Sequence, residues 1–295
     1  MTEWDGRGLP PVAADRMKRF ARTGLRTSLL TVPGAVGVQS AGFEPVGEVM
    51  GCIVEHIGWA GFGGCGYIGG FGIGGGISGG FGGGTVTSSG SARFVGFGPY
   101  VDALYRGYDT ALGRMTAEAA AMEADGVVGV RLSVSHLGAE NREFLALGTA
   151  VRARSRHRPG RVFTTDLAGQ DVAKLMAAGW VPGAVVYGIS VAVRHDDWVT
   201  RRQASWGAGN TEVSGYTELV AHVRADARYR FDQQARSAGA EGAIVSSMGL
   251  RIGEIEPAEN HRDHVAEAGV FGTALVSFHR GSSAPTRSLT ILPLR

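Results

Sequence analysis

Residues 117–134, AEAAAMEADGVVGVRLSV, and 233–252, QQARSAGAEGAIVSSMGLRI, write one unit twice: the end of a helix, a glycine turn and an apolar strand. Glu118, Ala119, Ala120, Ala121 and Met122 are strong helix formers, because their side chains lose little freedom in a helix. Asp125-Gly126 is expected to stop that helix, since glycine tolerates the left-handed conformation of a helix C-terminus. Val127, Val128, Val130, Leu132 and Val134 then favour a strand. In the second copy Ala235, Ala238 and Ala240 close the helix, Gly242 stands for Gly126, and Ala243, Ile244 and Val245 open the strand.

Two further blocks recur in the same order. Ala41-Gly42-Phe43-Glu44-Pro45 and Ala178-Gly179-Trp180-Val181-Pro182 each lead into an apolar strand with a central glycine, Gly51 or Gly188. FLALGTAV at 144–151 and VFGTALV at 270–276 close each copy. A period this long implies duplicated domains and not a short-repeat solenoid. Helices are expected at 100–123, with Leu104, Tyr108, Leu112, Met115, Ala119 and Met122 on one face, and at 218–237, with Leu219, Val223, Ala227, Phe231 and Ala235. A capped helix is expected over 165–177. Its counterpart over 27–40 carries Pro33-Gly34 and is expected to be shorter or absent.

The 295 residues suit two domains of ordinary size, and 44% apolar content suffices for two cores. A net charge of +2 makes the whole molecule no polyanion binder, so nucleic acid is not an expected partner. Two cysteines, Cys52 and Cys65, provide no disulfide framework and fit a reducing compartment. The first residues, MTEWDGRGLPP, lack the basic start and apolar run of a signal peptide, so a cytoplasmic location is expected. Residues 1–27 read as a polar leader, loosely docked, with a short basic helix over 15–22.

From 57 to 92 there is no Asp, Glu, Lys or Arg. Glycine alternates there with Trp59, Phe62, Tyr67, Ile68, Phe71, Ile73, Ile77 and Phe81. The offset between matched blocks falls from 137 residues (Gly42 to Gly179) to 116 (Gly126 to Gly242), so the insert is extra length in the first copy. A flexible linker would be Gly/Ser with few large apolar groups. These apolar side chains call for burial, against a neighbouring subunit or in a membrane surface. Gly61-Phe62-Gly63-Gly64-Cys65-Gly66 fits G-x-G-x-x-G formally, but no helix follows to receive a phosphate.

Ala124-Asp125-Gly126-Val127-Val128-Gly129-Val130 with Gly148-Thr149-Ala150-Val151, and Gly239-Ala240-Glu241-Gly242-Ala243-Ile244 with Gly272-Thr273-Ala274-Leu275, resemble the YbjQ family, also called the heavy-metal-binding domain family. The resemblance implies an α+β protein of two tandem β-α-β-β (YbjQ/dodecin-like) domains, each a helix on a curved antiparallel sheet. It also implies assembly into homo-oligomeric rings, typically pentamers. The expected organisation is a leader at 1–27, a first domain at 28–152 with the insert at 57–92, a basic linker at 153–162, a second domain at 163–279 and a tail at 280–295.

The family label brings a heavy-metal ion as a candidate ligand. His261 and His264, in H-R-D-H, are the one close histidine pair, beside Glu259 and Asp263. Arg152, Arg154, Arg156, Arg158 and Arg161 form a basic strip suited to a solvated linker or, functionally, to anionic headgroups, nucleic acid or an acidic partner. No G-x-S-x-G, H-E-x-x-H or Cys/His arrangement points to catalysis. The sequence therefore reads as a non-enzymatic, ring-forming scaffold or binding protein without a cofactor, whose insert contacts subunits or a membrane. A heavy-metal-binding protein is the alternative.

Overall fold

The computed structural model describes residues 9–24, 27–57, 95–96, 98–137, 141–156, 158–258, 261–277 and 292–293. In chain order the first elements are α1 (Pro11–Thr23), α2 (Val32–Ser40), β1 (Phe43–His56), β2 (Val95–Gly96) and α3 (Gly98–Ala121). Next come β3 (Gly126–Leu137), β4 (Asn141–Ala153), β5 (Phe163–Thr165), α4 (Gly169–Ala177) and β6 (Trp180–His195). Then follow α5 (Trp198–Gln203), a 3-10 turn (Trp206–Ala208), α6 (Ser214–Ser237), β7 (Gly242–Ala258), β8 (His261–Ser277) and β9 (Leu292–Pro293).

The architecture is α+β. One sheet has the order β1-β4-β3-β5, the other β2-β6-β8-β7-β9. Their centres match: β1-β4-β3 and β6-β8-β7 are both antiparallel. Both ladders slip just after a proline, between Pro45 and Gly47 and between Pro182 and Ala184. Proline has no N–H to give to a ladder, which makes it a natural place for a bulge. The first sheet is not purely antiparallel, because β5 joins parallel to β3.

In each half a long helix lies against the first strand through one glycine. A Cβ on Gly51 would sit 2.0 Å from the Ala111 carbonyl oxygen, and one on Gly188 would sit 2.0 Å from that of Ala227. Just beyond, a helix side chain accepts from an amide of that strand. The Glu118 carboxylate takes the Met50 N–H at 2.8 Å, and the Gln234 side-chain oxygen takes the Tyr187 N–H at 2.5 Å. These contacts satisfy donors that an edge would otherwise leave open.

Alternation along β6 shows why this strand is buried on both faces. Val185, Tyr187, Ile189, Val191 and Val193 join the core that includes α3, β1 and β4, while Val186 and Ala192 join the core under α6. The α6 stripe Leu219, Val223, Ala227, Phe231 and Ala235 is buried as its spacing predicts. On α3 the buried residues are Tyr100, Val101, Ala103, Leu104, Gly107, Ala111, Met115, Glu118 and Ala119, whereas Tyr108, Leu112 and Met122 are only half-buried. A third cluster, Val38, Phe43, Val128, Val151 and Val172, ties α2 and α4 to the first sheet.

Three local expectations are corrected. The helix preceding the first A-G-aromatic block is not shorter than its counterpart: α2 and α4 are both nine residues. Pro33 lies in its first turn, where no N–H is needed, and the Thr31 hydroxyl accepts from Gly34 N at 3.2 Å. The left-handed residue after α3 is Glu123, with φ 54°, matched by Gly239 with φ 76°; Gly126 has no such φ. Gly126 is required for another reason, since a Cβ there would meet the Phe163 ring at 2.2 Å. Within the leader, α1 is docked and not loose, because its Arg16 forms an ion pair with buried Glu118.

Candidate functional site

Where α3 meets the second sheet, aromatic side chains crowd into a seam. The Tyr108 ring lies 5.2 Å from Phe144, 5.3 Å from Tyr187 and 5.5 Å from Phe271, and Tyr105 lies 5.5 Å from Tyr187. Such tilted and edge-on pairs add attraction beyond their buried area. Three of the phenols also have a polar duty. Tyr187 donates to Asp109 Oδ1 at 2.5 Å, Tyr105 accepts from the Ile189 amide at 3.0 Å, and Tyr100 donates to Glu267 Oε2 at 3.1 Å. Burial pushes the Tyr108 phenol up to about 12, raises Tyr105, and lifts Tyr100 and Tyr187 further. At Tyr187 the Asp109 carboxylate adds to that rise.

Beside the seam is a cleft of about 210 Å³ that Tyr108, Arg142, Ile189, Arg251, Glu267 and Phe271 help to line. The Arg142 guanidinium lies over the Tyr100 ring, 4.9 Å from its centre. Among the described residues the cleft presents rings, two arginines and one carboxylate at the contact between the halves.

At the far end of β6 and β8, two crossed pairs bind the strands together. His195 Nδ1 meets Asp263 Oδ1 at 2.8 Å, and His264 Nδ1 meets Asp196 Oδ1 at 3.0 Å. Tyr216 donates to Asp196 Oδ2 at 3.1 Å and its ring lies 4.2 Å from that of His264. Nearby, Arg194 bridges Glu218 at 2.9 Å and Asp197 at 3.2 Å. His264 thus has one ring nitrogen occupied. His261 opens β8 and its side chain lies outside the described residues. Among the described residues no group of three or more His, Cys, Asp or Glu is placed to hold a metal ion.

The basic strip divides. Arg152 donates to the carbonyls of Met122 at 2.7 Å and Glu123 at 3.1 Å, and Arg158 pairs with buried Asp125 at 2.7 Å. These two cations therefore close the C-terminal turn of α3, where helix carbonyls lack partners. Arg154, Arg156 and Arg161 are exposed. Trp59, Phe62, Tyr67, Ile68, Phe71, Ile73, Ile77 and Phe81 lie outside the described residues. Among the described residues no helix is long and apolar enough to cross a membrane.

The crossed His/Asp pairs and the Arg16–Glu118 pair were not anticipated. A usable signal existed for Glu118, a carboxylate three residues after Met115 on the core-facing stripe. None existed for the crossed pairs, which depend on the β6–β8 register.

Residues 88–154 match the family model YbjQ_1, described as "Putative heavy-metal-binding". Two archaeal relatives, UPF0145 protein NP_2600A of Natronomonas pharaonis and a UPF0145 protein of Halorubrum lacusprofundi, are 47% and 44% identical over 55 residues. In each case that is 19% of this chain and 53% of the relative. No solved structure matches the chain. The encapsulin nanocompartment protein Rv1762c of Mycobacterium tuberculosis is 32% identical over 246 residues, covering 80% of this chain and 81% of that protein. Likeness at that level, running through both halves and both sheets, places this chain in one family with Rv1762c.

Proposed function

We propose that this chain is a non-enzymatic, self-assembling component of a protein nanocompartment. The observation that carries the reading is the similarity to Rv1762c along four-fifths of both chains. Two features of the molecule support it. The halves share strand order, bulge position and the glycine seat of the helix, as expected of two tandem copies of the YbjQ-type unit. The seam between them is built from packed rings and ion pairs, and so serves cohesion better than catalysis. In this reading the uncharged insert over 57–92 packs against neighbouring copies and supplies apolar contact area to a ring of subunits.

Mass measurement in solution, together with negative-stain microscopy of the untagged protein, tests the proposal. Assemblies many times the 30.8 kDa of one chain are expected. A monodisperse monomer at micromolar concentration, with no particles, refutes it. Exchanging 60–90 for a short Gly/Ser loop should leave the fold intact and reduce the assembly mass. An unchanged mass would remove the insert from the assembly role.

A further inference from the structure

In each half a short segment leads into a nine-residue helix, and only one of the two segments is buried. In the second half, β5 adds in parallel to the β3 edge, pairing Thr164 with Val127 and Thr165 with Val128. Thr164 and Thr165 are buried, and α4 packs against α2 so closely that a Cβ on Gly169 would sit 2.1 Å from the Gly34 carbonyl oxygen. In the first half the corresponding residues, 137 positions earlier, are Thr27 and Ser28. Ser28 is already held as Thr165 is. Thr165 meets the Thr273 hydroxyl at 2.9 Å and accepts from Leu167 N at 3.1 Å; Ser28 meets the Thr149 hydroxyl at 3.4 Å and accepts from Leu30 N at 3.2 Å. Yet Thr27 and Ser28 are exposed. So are Val32 (80%) and Val36 (60%) on α2, whose counterparts on α4 are Gly169, which is buried, and Ala173, which is half-buried.

The receiving surface shows the complementary asymmetry. Gly126, Val127 and Val128 on β3 are covered by β5, and Val130 further along the strand is buried too. Of their counterparts on β7, Gly242 and Ala243 are buried beside β9 and Ile244 is half-buried, and further along the strand Val245 (38%), Met248 (46%) and Ile252 (52%) are exposed. Among the described residues the β7 edge carries β9 alone, antiparallel, through Gly242 and Ala243. One chain therefore has a ready strand with no edge, and an edge held by a two-residue substitute.

We propose, resting on the self-assembly reading above, that copies of this chain join head to tail through these two surfaces. Thr27–Ser28 of one copy adds as a parallel strand to the β7 edge of the next, with Thr27 opposite Ala243 and Ser28 opposite Ile244. The outer face of α2, Val32 and Val36, settles against α4 of that next copy. There Asp171 and Lys174, bridged at 3.2 Å, stand where α2 has Gly34 and Gly37, so side chains set a wider helix spacing than within the chain. β9 occupies the edge until a second copy displaces it. Strand addition supplies main-chain hydrogen bonds, and the exposed apolar residues supply burial. The contact joins unlike surfaces, so it propagates into a ring or a filament.

Cross-linking of mixed single-cysteine proteins tests this. In a background with Cys52→Ser and Cys65→Ser, S28C mixed with I244C should give a disulfide-linked pair, whereas S28C alone and I244C alone should not. V32E/V36E, which alters exposed residues, should keep its circular dichroism and weaken association about tenfold or more. Deleting 278–295 should raise the S28C–I244C yield. A homodimer of S28C, or no S28C–I244C product while large particles persist, overturns the edge pairing and leaves the assembly reading standing. Absence of particles with the cross-link intact does the reverse. A deletion that lowers the yield overturns the placeholder role of β9.

Discussion

Glu118 is a carboxylate with 1% of its surface exposed, and its partners define what each substitution removes. It accepts from Met50 N, as Gln234 accepts from Tyr187 N, and it alone also binds a cation, Arg16. Glu118→Gln should therefore keep the strand contact and lose only the pair, costing about 1 kcal/mol by urea denaturation. Glu118→Ala should cost about 3 kcal/mol, because it also strands the Met50 amide. Equal losses would show that the pair with α1, and not the edge amide, is what matters. The seam tyrosines give a pH dependence. Below pH 10 the folded and unfolded states both keep these protons. Between 10 and about 12 the unfolded chain ionises while Tyr108 stays protonated, so stability falls as pH rises. Melting temperature should drop through that window, and Tyr108→Phe should flatten the drop.

The repeated elements were legible in the sequence because their signals are local. Helix stripes and GTAV-like closing strands each lie within one element and the A-G-aromatic-x-P blocks within one turn and the start of a strand, and α6 follows its predicted stripe residue by residue. What stayed hidden depends on neighbours distant in the chain. Gly126 looked like a helix stop but makes room for Phe163, while the left-handed turn falls on Glu123. No sequence pattern marks a glutamate there, although Gly239 occupies the same place in the other half. Glu123→Gly should thus stabilise the protein by about 0.5–1 kcal/mol in thermal or urea melts, the relief of an unfavourable φ exceeding the entropy added to the unfolded chain. Gly51→Ala and Gly188→Ala should each cost on the order of 2–3 kcal/mol, since each methyl meets a helix carbonyl oxygen that cannot retreat. A similar loss at both positions is the element-level test that the halves are built alike; a loss at only one would count against it. The candidate site was less readable than the fold, because the aromatic seam exists only once the two halves are docked and the crossed His/Asp pairs only once β6 and β8 take their register.

At the scale of the molecule, the sheets are joined by β5, a three-residue strand that enters the first sheet on its way to the second. The short stretch between β4 and β5 keeps that strand at an effective concentration of roughly millimolar or above, so this seam holds at any dilution. A chain cut within 154–156 would expose how much of the adhesion is intrinsic. The halves should stay together at micromolar concentration, through the ring seam and the glycine-spaced helices, and come apart on further dilution. Until such a cut the joint has no off-rate of its own. Any loosening, repair or turnover of a body built from these chains would have to pass through other surfaces, leaving this one as its permanent hinge pin.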